Sequence, residues 1–224
     1  MKNNDIHAEK YRKNIELSRA ISGDAHTFFA EYQALKLAEW LSNKKDSSIS
    51  ILDFGCGHGL MTSIVQHLFV NATLYGIDPS DESIDLAQEI YEGIHFSTLG
   101  DTLHFPDNTF DLIYTSEVFH HIPPEEHAAY CTALLRILKP GGTLIIFELN
   151  PLNPATVFRF KTNPYEDDAE LLSPWYLQHL LEPHGVVTTR FYDFFPNFMG
   201  YLRFLEPYIT WLPCGALYAT SVTK

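Results

Sequence analysis

The sequence predicts an α/β fold, a mostly parallel sheet with helices on both faces. Short apolar runs alternate with helical periodicity from Ile49 to Glu148. A glycine-rich turn joins the first run to the helix that follows it. Of the 224 residues 46% are hydrophobic, enough to close one large core. We therefore expect one domain over 1–224, with a helical leader at 1–48, a ligand-binding core at 49–150 and an acceptor-side region at 151–224.

The leader repeats apolar residues at Phe28, Tyr32 and Leu35 and again at Ala34, Leu37, Ala38 and Leu41, the pattern of a helix covering a sheet. Ile49 to Phe54 reads as a buried strand, and Leu60, Met61, Ile64, Val65 and Leu68 give the next helix its inner face. Thr73 to Ile77 is a second strand, Ile84, Ala87 and Tyr91 mark a second core helix, and a short strand follows at Ile94 to Ser97. Phe110 to Thr115 is the fourth strand. A helix through Cys131, Leu134, Leu135 and Leu138 then stops at Lys139-Pro140-Gly141-Gly142, before a fifth strand from Thr143 to Glu148.

Beyond Asn150 the periodicity fades among Pro151, Pro154 and Pro164, which suggests an excursion over the site. Ser173 followed by Pro174 is a helix start, and Gly185 suits a left-handed stop after His184. Val186 to Phe195 and Gly215 to Thr223 complete seven strands. Between them, Phe191 to Leu212 holds more aromatic residues than two strands require. A cap over an acceptor pocket, a homodimer contact and a lipid-facing surface are the three uses open to it.

Fifteen Lys plus Arg stand against 28 Asp plus Glu, a formal charge of -13 with no run of three basic residues. Nucleic acid is therefore not an expected partner, because phosphate binding rests on clustered cations. Met1 to Lys13 has no apolar signal region, and Phe191 to Leu212 is interrupted by Asp193, Pro196, Arg203, Glu206 and Pro207. Those two features imply a cytoplasmic chain without an integral membrane segment. Cys56, Cys131 and Cys214 are too scattered for a disulfide framework.

The chemistry concentrates in Asp53-Phe54-Gly55-Cys56-Gly57-His58-Gly59, where glycines at a strand end let the backbone approach a ligand closely. The dinucleotide fingerprint G-x-G-x-x-G fails, since Leu60 occupies its third glycine position. A nicotinamide enzyme is thereby disfavoured.

The segment instead resembles motif I of the class I S-adenosylmethionine-dependent methyltransferases, and the resemblance runs from about Ile49 to Asn150. It implies a Rossmann-like seven-stranded sheet with an antiparallel final strand, with S-adenosylmethionine as cofactor and S-adenosylhomocysteine as product. By the same likeness Asp53, Gly55, Cys56, Gly57 and Gly59 form the cofactor loop, and Asp53 faces the cationic end of the cofactor. Asp78, about 20 residues beyond the glycines, would accept hydrogen bonds from the ribose hydroxyls. A helix cap before Ser80 is its other reading. Gly100-Asp101, Leu103, Phe105-Pro106, Asn108 and Phe110-Asp111 resemble the family stretch between the third and fourth strands. Asp101 would then meet the adenine amino group, with Thr102 and Ser116 completing the cofactor set.

His120-His121 resembles the family's histidine run after the fourth strand. Both are candidate catalytic residues, His121 ahead of His120, with packing as the alternative. The Cys56 thiol reads as inert and His58 as a solvated loop residue. Among 11 histidines no H-x-x-x-H or Cys/His cluster occurs, so no metal is expected. Glu148-Leu149-Asn150-Pro151-Leu152-Asn153-Pro154 is similar to a segment of some bacterial methyltransferases associated with surface saccharides, which more often carry histidine at the position of Leu149. A small-molecule acceptor follows, with a saccharide hydroxyl in front and Tyr165, Asp168, Trp175, Tyr201 and Trp211 as candidate lining. The competing reading is a non-catalytic S-adenosylmethionine-binding regulatory or partner protein.

Overall fold

The computed structural model describes residues 27–42, 45–100, 103–162 and 169–224. Asp101, Thr102, Tyr165 and Asp168, with residues 1–26 of the leader, lie outside them. Seven strands form one sheet in the order β3-β2-β1-β4-β5-β7-β6. The chain falls into two compact units, Met1–His104 and Phe105–Lys224.

In the first unit, helix α1 (27–40) precedes β1 (Ser50–Phe54), α2 (Leu60–Leu68), β2 (Thr73–Asp78), α3 (Asp81–Ile90) and β3 (His95–Thr98). β1 pairs in parallel with β2, and β2 with β3. Ile51, Leu52 and Phe54 are buried in succession, as expected of a parallel strand covered on both sides. Helix α2 buries Leu60, Met61, Ile64 and Val65, the face its spacing marked out. Ser80 caps α3 by accepting from the Ser83 amide.

In the second unit, β4 (Phe110–Ser116) leads through a 3-10 turn (Phe119–His121) to α4 (His127–Ile137) and the long β5 (Leu138–Leu149). β7 (Leu217–Thr223) runs antiparallel to both β5 and β6 (Val186–Tyr192), which gives the expected antiparallel final strand. Lys139-Pro140-Gly141-Gly142 does not separate helix from strand. Phe110 pairs with Leu138 but Leu112 with Thr143, so these residues form a bulge inside β5.

Two further expectations need correction. The region after Asn150 contains a helix, α5 (Pro154–Thr162), because the Asn153 carboxamide accepts from the Ala155 and Thr156 amides and Pro154 fits a helix start. Gly185 is not a left-handed stop. Its backbone is extended, and glycine is required because a Cβ there would lie 2.2 Å from the Thr223 carbonyl oxygen. Helix α6 (Pro174–Leu181) starts at the Ser173 cap as expected but tightens to 3-10 over Glu182–His184. A 3-10 segment (Asn197–Leu205) and the short α7 (Glu206–Ile209) occupy the aromatic connection before β7.

Candidate functional site

In the first unit, the turn between β1 and α2 is built by glycine conformation and by the end of β2. Gly55, Gly57 and Gly59 have φ of 78°, 51° and 82°, a left-handed series that side chains resist. The Gly55 and Cys56 amides both donate to the Ile77 carbonyl, at 2.8 and 3.0 Å. The Gly57 amide donates to Asp78 Oδ2 at 2.8 Å, and the Ser80 amide to Asp78 Oδ1 at 3.0 Å. One half-buried carboxylate thus holds the loop and starts α3. Of the two readings of Asp78, the one at the start of α3 has its bond in the Ser80 amide.

Each Asp78 oxygen accepts one of these amide bonds, and a carboxylate oxygen has two acceptor directions. The residues present suit a ribose diol on that count. They suit a ligand over the loop as well, since a Cβ added at Gly57 would meet nothing within 4 Å. Helix α2 begins there with no side-chain cap and no acidic residue in its first turn, which leaves its amide end favourable to a carboxylate.

Asp53 is 2% exposed and accepts from Thr62 Oγ1 at 2.6 Å, so it ties the strand end to α2. The side chain of Cys56 packs with Ile84, Ala87, Tyr91 and Phe96. Burial, followed by the negative charges of Asp53 and Asp78, pushes its thiol far above the ordinary range. The inert reading of Cys56 agrees with that environment.

In the second unit, Ser116 ends β4 half-buried, and Glu117 follows at φ 57°, a left-handed conformation strained for a glutamate. The 3-10 turn after it carries both candidate histidines. His120 is buried, and its Nδ1 lies 2.6 Å from Oε2 of Glu148, with both side chains 1% exposed. The other Glu148 oxygen accepts from the Phe119 amide at 2.9 Å. His127 Nε2 lies 2.9 Å from the carbonyls of both Phe119 and Ile122, so that nitrogen carries the proton. In neutral imidazole Nδ1 is then the acceptor for the Tyr176 hydroxyl, at 2.9 Å. His121 alone among these histidines is exposed, its ring 4.2 Å from that of His120.

Sequence reasoning missed Glu148, Glu117 and His127 as parts of this arrangement. Glu148 was legible as the end of a strand and the start of the Glu148–Pro154 likeness, neither of which pairs it with His120, and His127 was not singled out. Asn150 and Asn153 also acquire plain roles. Asn150 Nδ2 donates to the Gly215 carbonyl at 2.7 Å and Asn153 Nδ2 to the Cys214 carbonyl at 2.8 Å, fastening the approach to β7.

A doubly wound sheet with a glycine turn at one strand end and an acid at the next is an arrangement on which α/β proteins bind nucleotides. Residues 52–146 match the methyltransferase domain family. A ubiquinone biosynthesis O-methyltransferase, mitochondrial, of Rattus norvegicus is 31% identical over 182 residues, 71% of this chain and 51% of that protein. The chain thus spans about half the length of the ubiquinone relatives it matches, 51% and 47% for the rat and human proteins. Among solved structures, a SAM-dependent methyltransferase from Archaeoglobus fulgidus superposes with a TM-score of 0.70 at 17% identity, covering 93% of this chain and 98% of that one. The plantazolicin methyltransferase, solved with a monoazolic desmethylPZN analog and SAH, gives a TM-score of 0.63 at 18% identity over 100% of both chains. Residues 52–146 thus carry a methyltransferase domain, and the chain has the fold of the solved S-adenosylmethionine-dependent methyltransferases.

Proposed function

We propose that this protein catalyses methyl transfer from S-adenosylmethionine to a hydroxyl of a small molecule, with His121 receiving the acceptor's proton. The observation that carries the reading is the pinned turn at Phe119–His121. Glu148 holds its first amide and the His120 ring, His127 holds its carbonyls, and His121 is the residue it exposes. An exposed imidazole on an immobilised turn suits general-base work, which needs a group near its own pKa kept in one place. The name O-methyltransferase borne by the ubiquinone relatives supports oxygen as the acceptor atom.

The cofactor, when bound, supplies a methyl group activated by sulfonium. Asp78 would accept the ribose hydroxyls while keeping the glycine loop in shape, and the open backbone at Gly57 would let the ligand lie close. Asp53, anchored by Thr62, would present negative charge toward the cofactor's cationic end. Ser116, with Asp101 and Thr102 outside the described residues, stays in the proposed cofactor set. His120 acts through the turn, as a positioning residue.

Among hydroxyl acceptors, the saccharide reading rested on the stretch from Glu148 to Pro154. Its asparagines are spent on the backbone of 214–215, so the stretch supports a folding role and leaves the saccharide to be tested beside other hydroxyls. Incorporation of label from S-adenosylmethionine into a small-molecule extract tests the base. His121→Ala should lower the rate by about 10²- to 10⁴-fold with cofactor affinity unchanged. An unchanged rate and pH profile would remove His121 from the mechanism.

A further inference from the structure

We propose that the aromatic stripe of residues 198–211 is the self-association surface of a two-fold symmetric homodimer. Phe198, Tyr201, Phe204, Tyr208 and Trp211 are 81%, 74%, 68%, 77% and 71% exposed. In a 3-10 segment side chains three apart eclipse, so Tyr201 and Phe204 stand one above the other. The steps of four and three residues to Tyr208 and Trp211 follow the same face through α7 and the turn after it. Phe198 extends the stripe across a kink at Met199.

Charge chooses the occupant. A chain of formal charge -13 repels its own copy over most of its surface, and in a two-fold dimer each patch meets itself. The stripe is where that repulsion vanishes, because both charged residues of its segment are turned inward. Arg203 reaches Asp193 at 3.8 Å, and the 3% exposed Glu206 accepts from the Phe194 amide at 3.1 Å. A bilayer is the poorer occupant, since surface-bound amphipathic helices flank their apolar face with several Lys and Arg, whereas this segment has no Lys and its single Arg, Arg203, is turned to Asp193. Tyr, Trp and Phe exposed without Lys, Glu or Asp is the composition of a protein interface core.

The area agrees. An aromatic side chain carries about 150 to 250 Å², so five at these exposures present on the order of 700 Å². A stable interface buries about 800 Å² on each partner, and the partly exposed Leu205 extends the patch.

Light scattering and sedimentation on the full chain test this. The wild type should run at twice the mass of one chain in the micromolar range, and Phe204→Glu/Tyr208→Glu as a monomer with unchanged circular dichroism. Phe204→Lys/Tyr208→Lys should also be monomeric, and mixing the Glu and Lys variants should restore the dimer. If the Glu pair fails to fold, Phe198→Ser/Tyr201→Ser makes the same comparison. A monomeric wild type overturns the proposal, as does a Glu variant that stays dimeric. Co-sedimentation of a monomeric wild type with phosphatidylcholine vesicles would assign the stripe to a membrane instead.

Discussion

The carboxylate of Asp78 fixes the Gly57 amide, and under the proposed function its remaining acceptor directions would take the ribose hydroxyls. Asp78→Ala should weaken binding of both S-adenosylmethionine and S-adenosylhomocysteine by about 1.5 to 3 kcal/mol, the range for hydrogen bonds to a charged group. Calorimetry showing wild-type affinity in a folded variant would reassign the ribose site. The cysteines give a second prediction. Burial pushes the Cys131 thiol up to about 12 from its ordinary 9.0, and Cys56 moves the same way. Below pH 9 both states keep the proton, so the stabilisation is fully present. Above it the unfolded chain loses protons that the folded chain retains, and stability should fall from pH 9 toward 12. Urea denaturation across that window reads the fall, and a flat profile would contradict the buried thiol environments.

At the scale of elements, the 3-10 turn and β5 behave as one device. His120→Ala leaves the Glu148 carboxylate buried with the Phe119 amide as its remaining partner in the turn, which should cost about 3 to 5 kcal/mol of stability. His121→Ala, at an exposed position, should leave stability unchanged while lowering turnover. Chemical denaturation of the two variants distinguishes anchor from base, and equal losses would contradict the division. This division was only half legible in the sequence. The glycine loop was marked by its own spacing, and Asp78 and the adjacent histidines were singled out by the family resemblance. The Glu148 partnership could not be read, since 28 residues separate it from His120 and only strand register unites them. Helix α5 was hidden for a related reason. Prolines read as punctuation, whereas Pro154 behind the Asn153 cap is a start. Gly185 misled because a close approach to a later strand, and not a local turn, demands glycine.

For the whole molecule, the parallel pairing of β1 with β2, β2 with β3 and β4 with β5 is what the alternation of apolar runs and helical periodicity implied, whereas the order of the strands was not legible in it. The antiparallel β7 came from the family resemblance. After β5, asparagine side chains clip 213–215 and the aromatic stripe stays exposed. No helix among the described residues is long and apolar enough to cross a membrane. The central claim, methyl transfer to a small-molecule hydroxyl, is tested most directly by incubating the protein with S-adenosylmethionine bearing a deuterated methyl group and a small-molecule extract. Mass spectrometry should find S-adenosylhomocysteine together with a metabolite carrying the labelled methyl as an ether. Label found only on nitrogen or carbon, or bound cofactor that is never consumed, would contradict the account.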